Sequence, residues 1–265
     1  MVRGLYTAAS GMLVAQSQAD NIANNLANVN TNGFKQTLLQ VQSAPSMDVY
    51  LFQNQPGTAQ GKAVPGVPTS TYVGNLGTGA QVYDTPAQFE QGSLEQTGNP
   101  LDLSISGTNG FFAVGTGQGV RYTRDGQFLR DGNGLLATQD GDPVLGTNGQ
   151  PIAVPNGPFT VGTDGRITQN GQNLGQVQLV QFGNLTALRP QGDNFFVNTG
   201  NAAPAPATAA SVQQGSLEKS GTNVVRSMVD LINAERWFDT NQKMVQTQDD
   251  ATELAISSVA KTQHG

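Results

Sequence analysis

The side chains that could carry out catalysis are few in this sequence. The chain has 265 residues, no cysteine and one histidine, His264, which precedes the last residue. A thiol nucleophile is therefore excluded, and a histidine so near a frayed terminus cannot hold a general base in position. A Ser-His-Asp triad would need that same histidine as its base. Metal sites built from histidine and cysteine are excluded by the same counts.

The remaining candidates for chemistry are acidic or glycine-rich segments, and turns explain them better. Asp249 and Asp250 are neighbours on a predicted helix, so their carboxylates point in different directions. Residues 115–119 are glycine-rich but lack the lysine of a nucleotide-binding loop. Three further aspartates lack the spacing and the closing glutamate of a calcium loop, namely Asp140, Asp142 and Asp164. We therefore expect no enzymatic activity, no catalytic residue, no metal and no cofactor.

Composition excludes further classes of protein. Charged residues are 12% of the chain and the net charge is -6, whereas an average soluble domain has roughly 25% charged residues. Nucleic acid is disfavoured as a partner because no basic surface is available to meet phosphates. No apolar run is long enough to span a membrane, and residues 1–9 lack the features of a signal peptide. A low density of like charge suits a protein that packs against copies of itself.

The N-terminal end has the spacing of a helix that packs against another helix. Residues 5–29 contain no proline, and apolar residues recur there at steps of three and four, namely Leu5, Ala8, Met12, Ala15, Ala19, Ile22, Leu26 and Val29. The asparagines on the other faces make the helix marginal on its own, so it needs a partner. The Asn32-Gly33 dipeptide then supplies a stop signal.

The C-terminal end predicts a second and longer helix. Residues 223–261 contain neither glycine nor proline, and residues 220–223 supply capping side chains. Such a helix would span about 55 Å, too long for a small domain to cover. Its apolar residues keep an approximate helical period that three polar residues interrupt, namely Glu235, Gln242 and Asp249. We therefore expect both helices to form a coiled-coil-like stalk, partly covered by other chains.

The middle of the chain predicts an antiparallel β domain. Asn-Gly and Asp-Gly turn dipeptides are dense, with glycines at Gly126, Gly134, Gly141, Gly149, Gly157, Gly165 and Gly171. Short β-prone runs lie among or beside them, at residues 111–114, 127–129, 159–161 and 177–182. Residues 40–80 are expected to be extended or loop-like, and residues 198–211 to form a linker.

One five-residue motif occurs twice. Residues 91–95 and 214–218 both have the sequence Gln-Gly-Ser-Leu-Glu. One copy enters the β domain and the other leads out of it, so we predict two arms that pair or pack against each other. The expected fold class is α+β, with four segments: an N-terminal helix (1–36), an extended segment (37–84), a central β domain (85–212), and an arm with the C-terminal helix (213–265).

Several of these segments resemble one known family. Residues 22–35 (IANNLANVNTNGFK), 91–105 (QGSLEQTGNPLDLSI) and 122–128 (YTRDGQF) are similar to blocks of the flagellar axial family. So is the final helix, with MVDLI at 228–232 and RWFD at 236–239. The family comprises the rod, hook and hook-associated proteins, and the blocks occur in order over nearly the whole chain.

The resemblance implies a structural subunit of the bacterial flagellar rod, the tubular drive shaft of the basal body. Its implied partners are copies of itself, other rod and hook proteins and the flagellar export apparatus, without membrane insertion. Its implied route is type III export without a cleaved signal peptide. We expect the assembly interface at the helical ends, at Leu5, Met12, Ala19, Ile22, Asn25, Leu26, Asn28, Val29, Met228, Ile232, Phe238, Val245 and Ile256.

Alternatives remain open on the sequence alone. Residues 143–146 with 149–152 favour a proximal rod type, whereas the length of residues 40–80 favours the distal rod type. A hook subunit, or a secreted adhesin or coat protein with a helical stalk, is a further alternative. A carbohydrate-active enzyme is disfavoured by the missing catalytic residues. The folded core of the monomer is expected at about residues 85–205, between ends that order on assembly.

Overall fold

The computed structural model describes residues 2–59, 62–154 and 156–262. The contacts divide the chain into two compact units. The first, called the helical unit below, contains the chain up to residue 20, residues 39–84, and the chain from residue 230 onward. The second, called the β unit, contains residues 21–38 and 85–229. The four segments expected from the sequence remain a prediction.

The two predicted helices are present. Helix α1 is Val2–Ala27 and helix α2 is Val224–Thr262. Helix α2 begins as predicted, because the side-chain oxygen of Asn223 accepts a hydrogen bond from the backbone N–H of Arg226 (3.1 Å). Helix α1 ends earlier than its apolar pattern indicates: Val29 N–H bonds to Leu26 O (3.2 Å), which tightens the last turn.

The segment expected to be extended or loop-like forms two antiparallel strand pairs in the helical unit. Strand β1 (Gln40–Ser43) pairs with β4 (Ala80–Asp84). Strand β2 (Met47–Ala59) pairs with β3 (Lys62–Leu76) as a long two-stranded ribbon. The sequence signal was weak here because glycine, proline and glutamine interrupt any strict alternation.

The β unit is built from short antiparallel strands, as predicted. In chain order they are β5 Leu94–Gln96, β6 Leu103–Ser106, β7 Gly110–Thr116, β8 Gly119–Thr123, β9 Leu129–Arg130, β10 Leu136–Ala137, β11 Thr160–Val161, β12 Arg166–Gln169, β13 Gln172–Gln176, β14 Leu179–Gln181, β15 Leu188–Pro190, β16 Phe195–Asn198, β17 Ala205–Pro206, β18 Ser211–Gln214 and β19 Ser216–Glu218. A 3₁₀ turn lies at Leu185–Ala187. The largest sheet has the order β15-β16-β8-β7-β14-β17, and β11-β12-β13 form a smaller one.

Strand β7 organises the core because both of its faces are buried. Phe112 packs into a cluster with Leu103, Ile105 and Val212. Its neighbour Phe111 packs on the other side, in a cluster that contains other aromatic side chains, among them Phe89, Tyr122, Phe182 and Phe196. A continuous apolar run, rather than an alternating one, is the pattern expected of such a strand.

The segment predicted to be a linker, residues 198–211, is part of the β unit instead. Strand β17 pairs with β14, placing Ala205 opposite Gln181. Ala207 and Ala210 pack against the buried core. The linker prediction was wrong because alanine and proline were interpreted as low-complexity composition, whereas small side chains here fit beside larger core residues.

The repeated motif pairs with itself, which confirms the prediction made from the sequence. Strands β5 and β19 are antiparallel neighbours, with Leu217 opposite Glu95 and Glu218 opposite Leu94. The equivalent residues of the two copies are offset by one position in this register. The two glutamates consequently differ: Glu95 is exposed, whereas Glu218 is 1% exposed.

Candidate assembly site

The asparagine-rich segment that follows α1 is held by its own chain within the β unit. The buried Asn25 accepts a hydrogen bond from Thr37 N–H (2.9 Å) and donates one to Thr37 O (2.8 Å). Its amide therefore substitutes for the peptide group of a neighbouring strand. Asn21 adds a bond to the Thr37 hydroxyl (2.7 Å). These bonds close the loop between residues 28 and 36.

The tip of this loop contacts later parts of the β unit. Gly33 N–H donates to Glu218 O (2.7 Å), and Asn194 donates from its amide to Asn32 O (2.7 Å). Gly33 has φ +67°, and a Cβ added there would lie 2.4 Å from the carbonyl carbon of Arg124. A glycine is required on both grounds, since a side chain would be strained and would meet backbone.

A buried ion cluster joins three distant parts of the chain at the same place. One carboxylate oxygen of Glu218 accepts from Lys35 Nζ (2.5 Å) and from Gly92 N–H (2.8 Å). The other accepts from Arg124 Nη1 (3.0 Å). Two further bonds go to backbone oxygens: Lys35 Nζ donates to Glu90 O (2.6 Å) and Arg124 Nη2 donates to Gly107 O (2.6 Å).

Burial dominates the electrostatics of the ion cluster. Desolvation lowers the pKa of Lys35, opposed by the charge of Glu218 and its hydrogen bond. Desolvation also lowers the pKa of Arg124, again opposed by Glu218. The guanidinium carbon of Arg124 lies 5.3 Å from the centre of the Phe111 ring, which adds a cation–π contact. One carboxylate therefore compensates two buried cations, and its removal would leave both unpaired.

A groove of about 620 Å³ lies beside this cluster and is lined by the loop after α1 and by β-unit side chains. Asp125 lies in its wall, and burial raises the pKa of that carboxyl to about 6. The charges of Asp102 and Asp140 raise the pKa further, whereas the backbone hydrogen bond from Gln127 (3.0 Å) opposes them. Asp125 thus changes charge at about pH 6.

The predicted interface residues of the N-terminal end are covered to different degrees. Asn25 is buried, and the others are partly buried, namely Leu5, Met12, Ala19, Ile22, Leu26, Asn28 and Val29. Asn28 donates from its amide to Asn24 O (2.9 Å), and its oxygen accepts from the Thr31 hydroxyl (3.2 Å). The amides of Asn25 and Asn28 therefore already have partners within the chain.

The predicted interface residues of α2 lie on different faces of that helix. Phe238 and Val245 are partly buried, whereas Met228, Ile232 and Ile256 are 49%, 49% and 66% exposed. The least exposed line of α2 runs through Leu231, Ala234, Phe238, Asn241, Val245 and Gln248. Its steps of three and four are regular, so the interruptions noted in the sequence, at Glu235, Gln242 and Asp249, lie beside this line.

Helices α1 and α2 contact each other within the helical unit. A Cβ added to Gly11 would lie 2.9 Å from the amide oxygen of Asn241, and one added to Gly4 would lie 3.2 Å from Cδ of Gln248. Because a step forward along α1 corresponds to a step backward along α2, the two segments are antiparallel. These two contacts show that the helices pack against each other. A coiled-coil-like stalk along their whole length remains a proposal.

The ion cluster was missed as a site when the sequence was interpreted. Each member was nevertheless inside a segment that had attracted attention: Lys35 ends the first family block, Arg124 lies in YTRDGQF, and Glu218 ends the second copy of the repeated motif. The signal available in the sequence was the presence of a charged residue in each of these three segments.

The described residues contain neither a membrane-spanning helix nor a cluster of metal-ligating side chains. No helix among them is long and apolar enough to cross a membrane. No group of three or more His, Cys, Asp or Glu side chains in the described part of the chain is arranged to hold a metal ion.

Comparison with known proteins matches these elements to one family. Residues 5–35 match the model described as flagella basal body rod protein, residues 104–171 the D1 domain of the flagellar hook protein FlgE/F/G, and residues 213–257 the C-terminal part of the flagellar basal body rod FlgEFG proteins. The flagellar basal-body rod protein FlgF of Caulobacter vibrioides is 35% identical over 263 residues, covering 98% of each chain. The chain belongs to the flagellar basal-body rod protein family.

Other relatives in the family carry related names. The flagellar basal-body rod protein FlgG of Bacillus subtilis is 34% identical over 97% of this chain and 99% of its own length. The flagellar hook-basal body complex protein FlhO of the same organism is 31% identical over 98% of this chain and 100% of its own length. The resemblance stated from the sequence is thereby confirmed, and a proximal rod type fits these relatives.

Proposed function

We propose that this chain is a structural subunit of the bacterial flagellar rod that assembles with copies of itself through its terminal helices. Membership of the rod protein family supports the role as a rod subunit. One observation on the chain supports assembly through the terminal helices. The first turns of α2 expose large apolar side chains, with Val225 74% exposed, Met228 49% and Val229 53%. Apolar side chains grouped in this way on a surface mark a contact with another protein.

The position of these side chains on the helix strengthens the proposal. Successive residues of an α-helix are rotated by about 100°, so Val225, Met228 and Val229 lie opposite the less exposed line through Ala234 and Phe238. Helix α2 thus has one face turned to its own chain and a second apolar face left open. A tubular assembly would cover that second face with the helices of neighbouring subunits, forming the coiled-coil-like stalk.

The remaining parts of the proposal concern place and partners. The names of the relatives support a position in the flagellar basal body, with other rod and hook proteins as neighbours. Export by the flagellar type III apparatus without cleavage near Met1 belongs to the same proposal. Sequencing the N-terminus of assembled material tests the route, because a start far downstream of Met1 would contradict it. Two of these relatives are named as rod proteins and the third as a hook-basal body complex protein, and we assign no reaction to the chain.

The experiment that tests assembly places a charge on the open face. Met228→Asp should leave the monomer folded, since an exposed substitution usually changes stability by no more than about 0.5 kcal/mol. In an assembly the same carboxylate would be buried without a partner, at a cost of several kcal/mol. We expect normal thermal unfolding of the monomer, no rods in electron micrographs and loss of swimming.

Asn233→Asp provides the matched control, because it adds the same charge at an exposed polar position of the same helix. Cells with this variant should build rods. Normal rods and swimming with Met228→Asp would refute assembly through this face. Discrete small particles instead of tubes from the unaltered protein would favour an adhesin or coat protein with a helical stalk.

A further inference from the structure

We propose that two contacts between a glycine of α1 and a carboxamide of α2 set the register in which these helices pair. The proposal rests on the contacts of the helical unit and does not depend on the proposed function. Its basis is a match of sizes: each contact joins a residue without a side chain to a residue with a bulky polar one.

The tighter contact is between Gly11 and Asn241. A Cβ added to Gly11 would lie 2.9 Å from Oδ1, 3.0 Å from Cγ and 3.0 Å from Nδ2 of Asn241. The amide cannot simply rotate away without loss, because Nδ2 donates to Trp237 O (2.9 Å). The carboxamide of Asn241 therefore lies directly on the backbone of α1, and a larger residue at position 11 would have to displace it.

The second contact repeats this arrangement one heptad away. A Cβ on Gly4 would lie 3.2 Å, 3.3 Å and 3.4 Å from Cδ, Nε2 and Oε1 of Gln248. Continuing the same spacing by one heptad in the other direction would bring Gln18 of α1 opposite Ala234 of α2, which is 1% exposed. The sizes would then be reversed, with the large residue on α1 and the small one on α2.

A displacement by one heptad destroys this match in either direction. If Gln248 moved to Gly11, Asn241 would face Gln18, so that two bulky amides would meet, and Gly4 would face Ala255. If Asn241 moved to Gly4, Gly11 would face Ala234 and leave a gap, while Gln248 would lie beyond the start of α1. Polar residues in the line of contact of paired helices are known to fix register in this way.

The first test uses the direction in which a substitution changes the hydrogen-exchange rate of α1. Alanine forms helices better than glycine, so Gly11→Ala should protect α1 from hydrogen exchange if Gly11 has no contact role. We expect the opposite: exchange in α1 of the full-length chain should become about fivefold faster or more, the size of effect seen between coupled side chains. Adding Asn241→Ala to Gly11→Ala should restore most of the protection.

Gln16→Ala is the matched control, because Gln16 is an exposed residue of the same helix. It should leave exchange unchanged or slow it slightly. Protection of α1 by Gly11→Ala, or failure of Asn241→Ala to restore it, would overturn the proposed contact.

The second test reads the register directly, and the absence of native cysteine makes it clean. Cysteines are introduced as the pair Gln18→Cys with Ala234→Cys, which reports the observed register, or as Gln18→Cys with Ser227→Cys, which reports a one-heptad displacement. A short thiol-reactive cross-linker should favour the first pair at least about fivefold. With Asn241→Ala and Gln248→Ala present, that preference should fall towards one.

An unchanged preference without the two amides would overturn the proposal, since the register would then be set elsewhere in the chain. A missing cross-link for the first pair in the unaltered background would overturn it as well. If the variant without the two amides loses both cross-links, the helices no longer pair, and the hydrogen-exchange test decides. Recovery of α1 protection when Asn241→Ala is added to Gly11→Ala would then support the proposal, and no recovery would overturn it.

Discussion

At the scale of single residues, Glu218 shows how position changes the role of a repeated sequence. Glu95 and Glu218 end identical five-residue motifs, and their strands pair with each other. Glu95 forms an exposed ion pair with Lys219 (3.1 Å), while Glu218 compensates Lys35 and Arg124 in the interior. Comparing Glu95 with Glu218 therefore measures how burial changes the contribution of a glutamate ion pair to stability.

Replacing Glu218 by glutamine should therefore be far more harmful than replacing Glu95. Glu218→Gln leaves two buried cations without a counter-charge, and we expect a loss of about 3–5 kcal/mol in the free energy of unfolding. Glu95→Gln should cost less than about 1 kcal/mol, as exposed pairs usually do. Denaturant unfolding of the two variants measures the difference. Equal effects would mean that the buried ion pairs contribute no more than the exposed one.

Asp125 should give the fold a dependence on pH. Its pKa is raised to about 6 in the folded chain, above the ordinary value of 3.8, so protonation favours the folded state. The contribution is present below pH 4 and is lost as the pH rises through about 6. Asp125→Asn should therefore raise stability at pH 8 by about 1–3 kcal/mol, since a tenfold change in acidity corresponds to about 1.4 kcal/mol.

The same substitution should have little effect on stability at pH 4, where the native carboxyl is also neutral. An asparagine oxygen can still accept the Gln127 N–H, so the comparison isolates the charge. Thermal unfolding of both proteins across this pH range provides the measurement. A stability gain that is equal at pH 4 and pH 8 would rule out the charge of Asp125 as its cause.

At the scale of elements, local signals predicted the helices and the β domain, and most long-range contacts escaped prediction. The helical spacing and the Asn223 cap follow from neighbouring residues. The pairing of the repeated motif is a long-range contact, and it was predicted because its two copies have the same sequence. The role of Lys35 depends on Glu218, 183 residues away, and no local pattern reports such a contact. The sequence did not separate the two faces of α2 for a related reason. Both faces are apolar, and only the contact with α1 shows which one is covered within the chain.

Gly33 tests how the loop after α1 is fixed to the β unit. Gly33→Ala combines a positive φ of +67° with a Cβ only 2.4 Å from the Arg124 backbone. Gly141→Ala is the matched control, because Gly141 has φ +89° but nothing within 4 Å of an added Cβ. The control should cost about 1–2 kcal/mol from backbone strain alone, and Gly33→Ala should cost clearly more in urea unfolding. Similar costs would show that close approach adds nothing.

At the scale of the whole molecule, the ion cluster connects the three segments that match the family. Lys35 lies in the first matched segment (5–35), Arg124 in the second (104–171) and Glu218 in the third (213–257). The β unit is therefore more than a domain inserted between two helical ends. It contains the close of the N-terminal segment and the start of the C-terminal one, and the buried charges can be paired only when all three are present.

The smallest fragment that folds should follow from this connection. A fragment of residues 85–205, the folded core expected from the sequence, lacks Lys35, Glu218 and the buried Val212. It would leave Arg124 buried without a counter-charge, at a cost of several kcal/mol, comparable to the whole stability of a small domain. We expect it to be unfolded or molten, as judged by the absence of dispersed amide signals in NMR spectra.

A fragment of residues 21–229 contains the complete β unit and should fold cooperatively.

Limited proteolysis of the intact chain tests the same connection between the segments. A cut within residues 39–84 should leave the short N-terminal piece bound to the β unit, because Asn25, Gly33 and Lys35 still make their hydrogen bonds there. The nicked protein should elute as one species until denaturant is added. If residues 85–205 alone gave a cooperative unfolding transition as stable as that of residues 21–229, the ion cluster would join the segments without stabilising them, and the terminal parts of the chain would be free to order only on assembly.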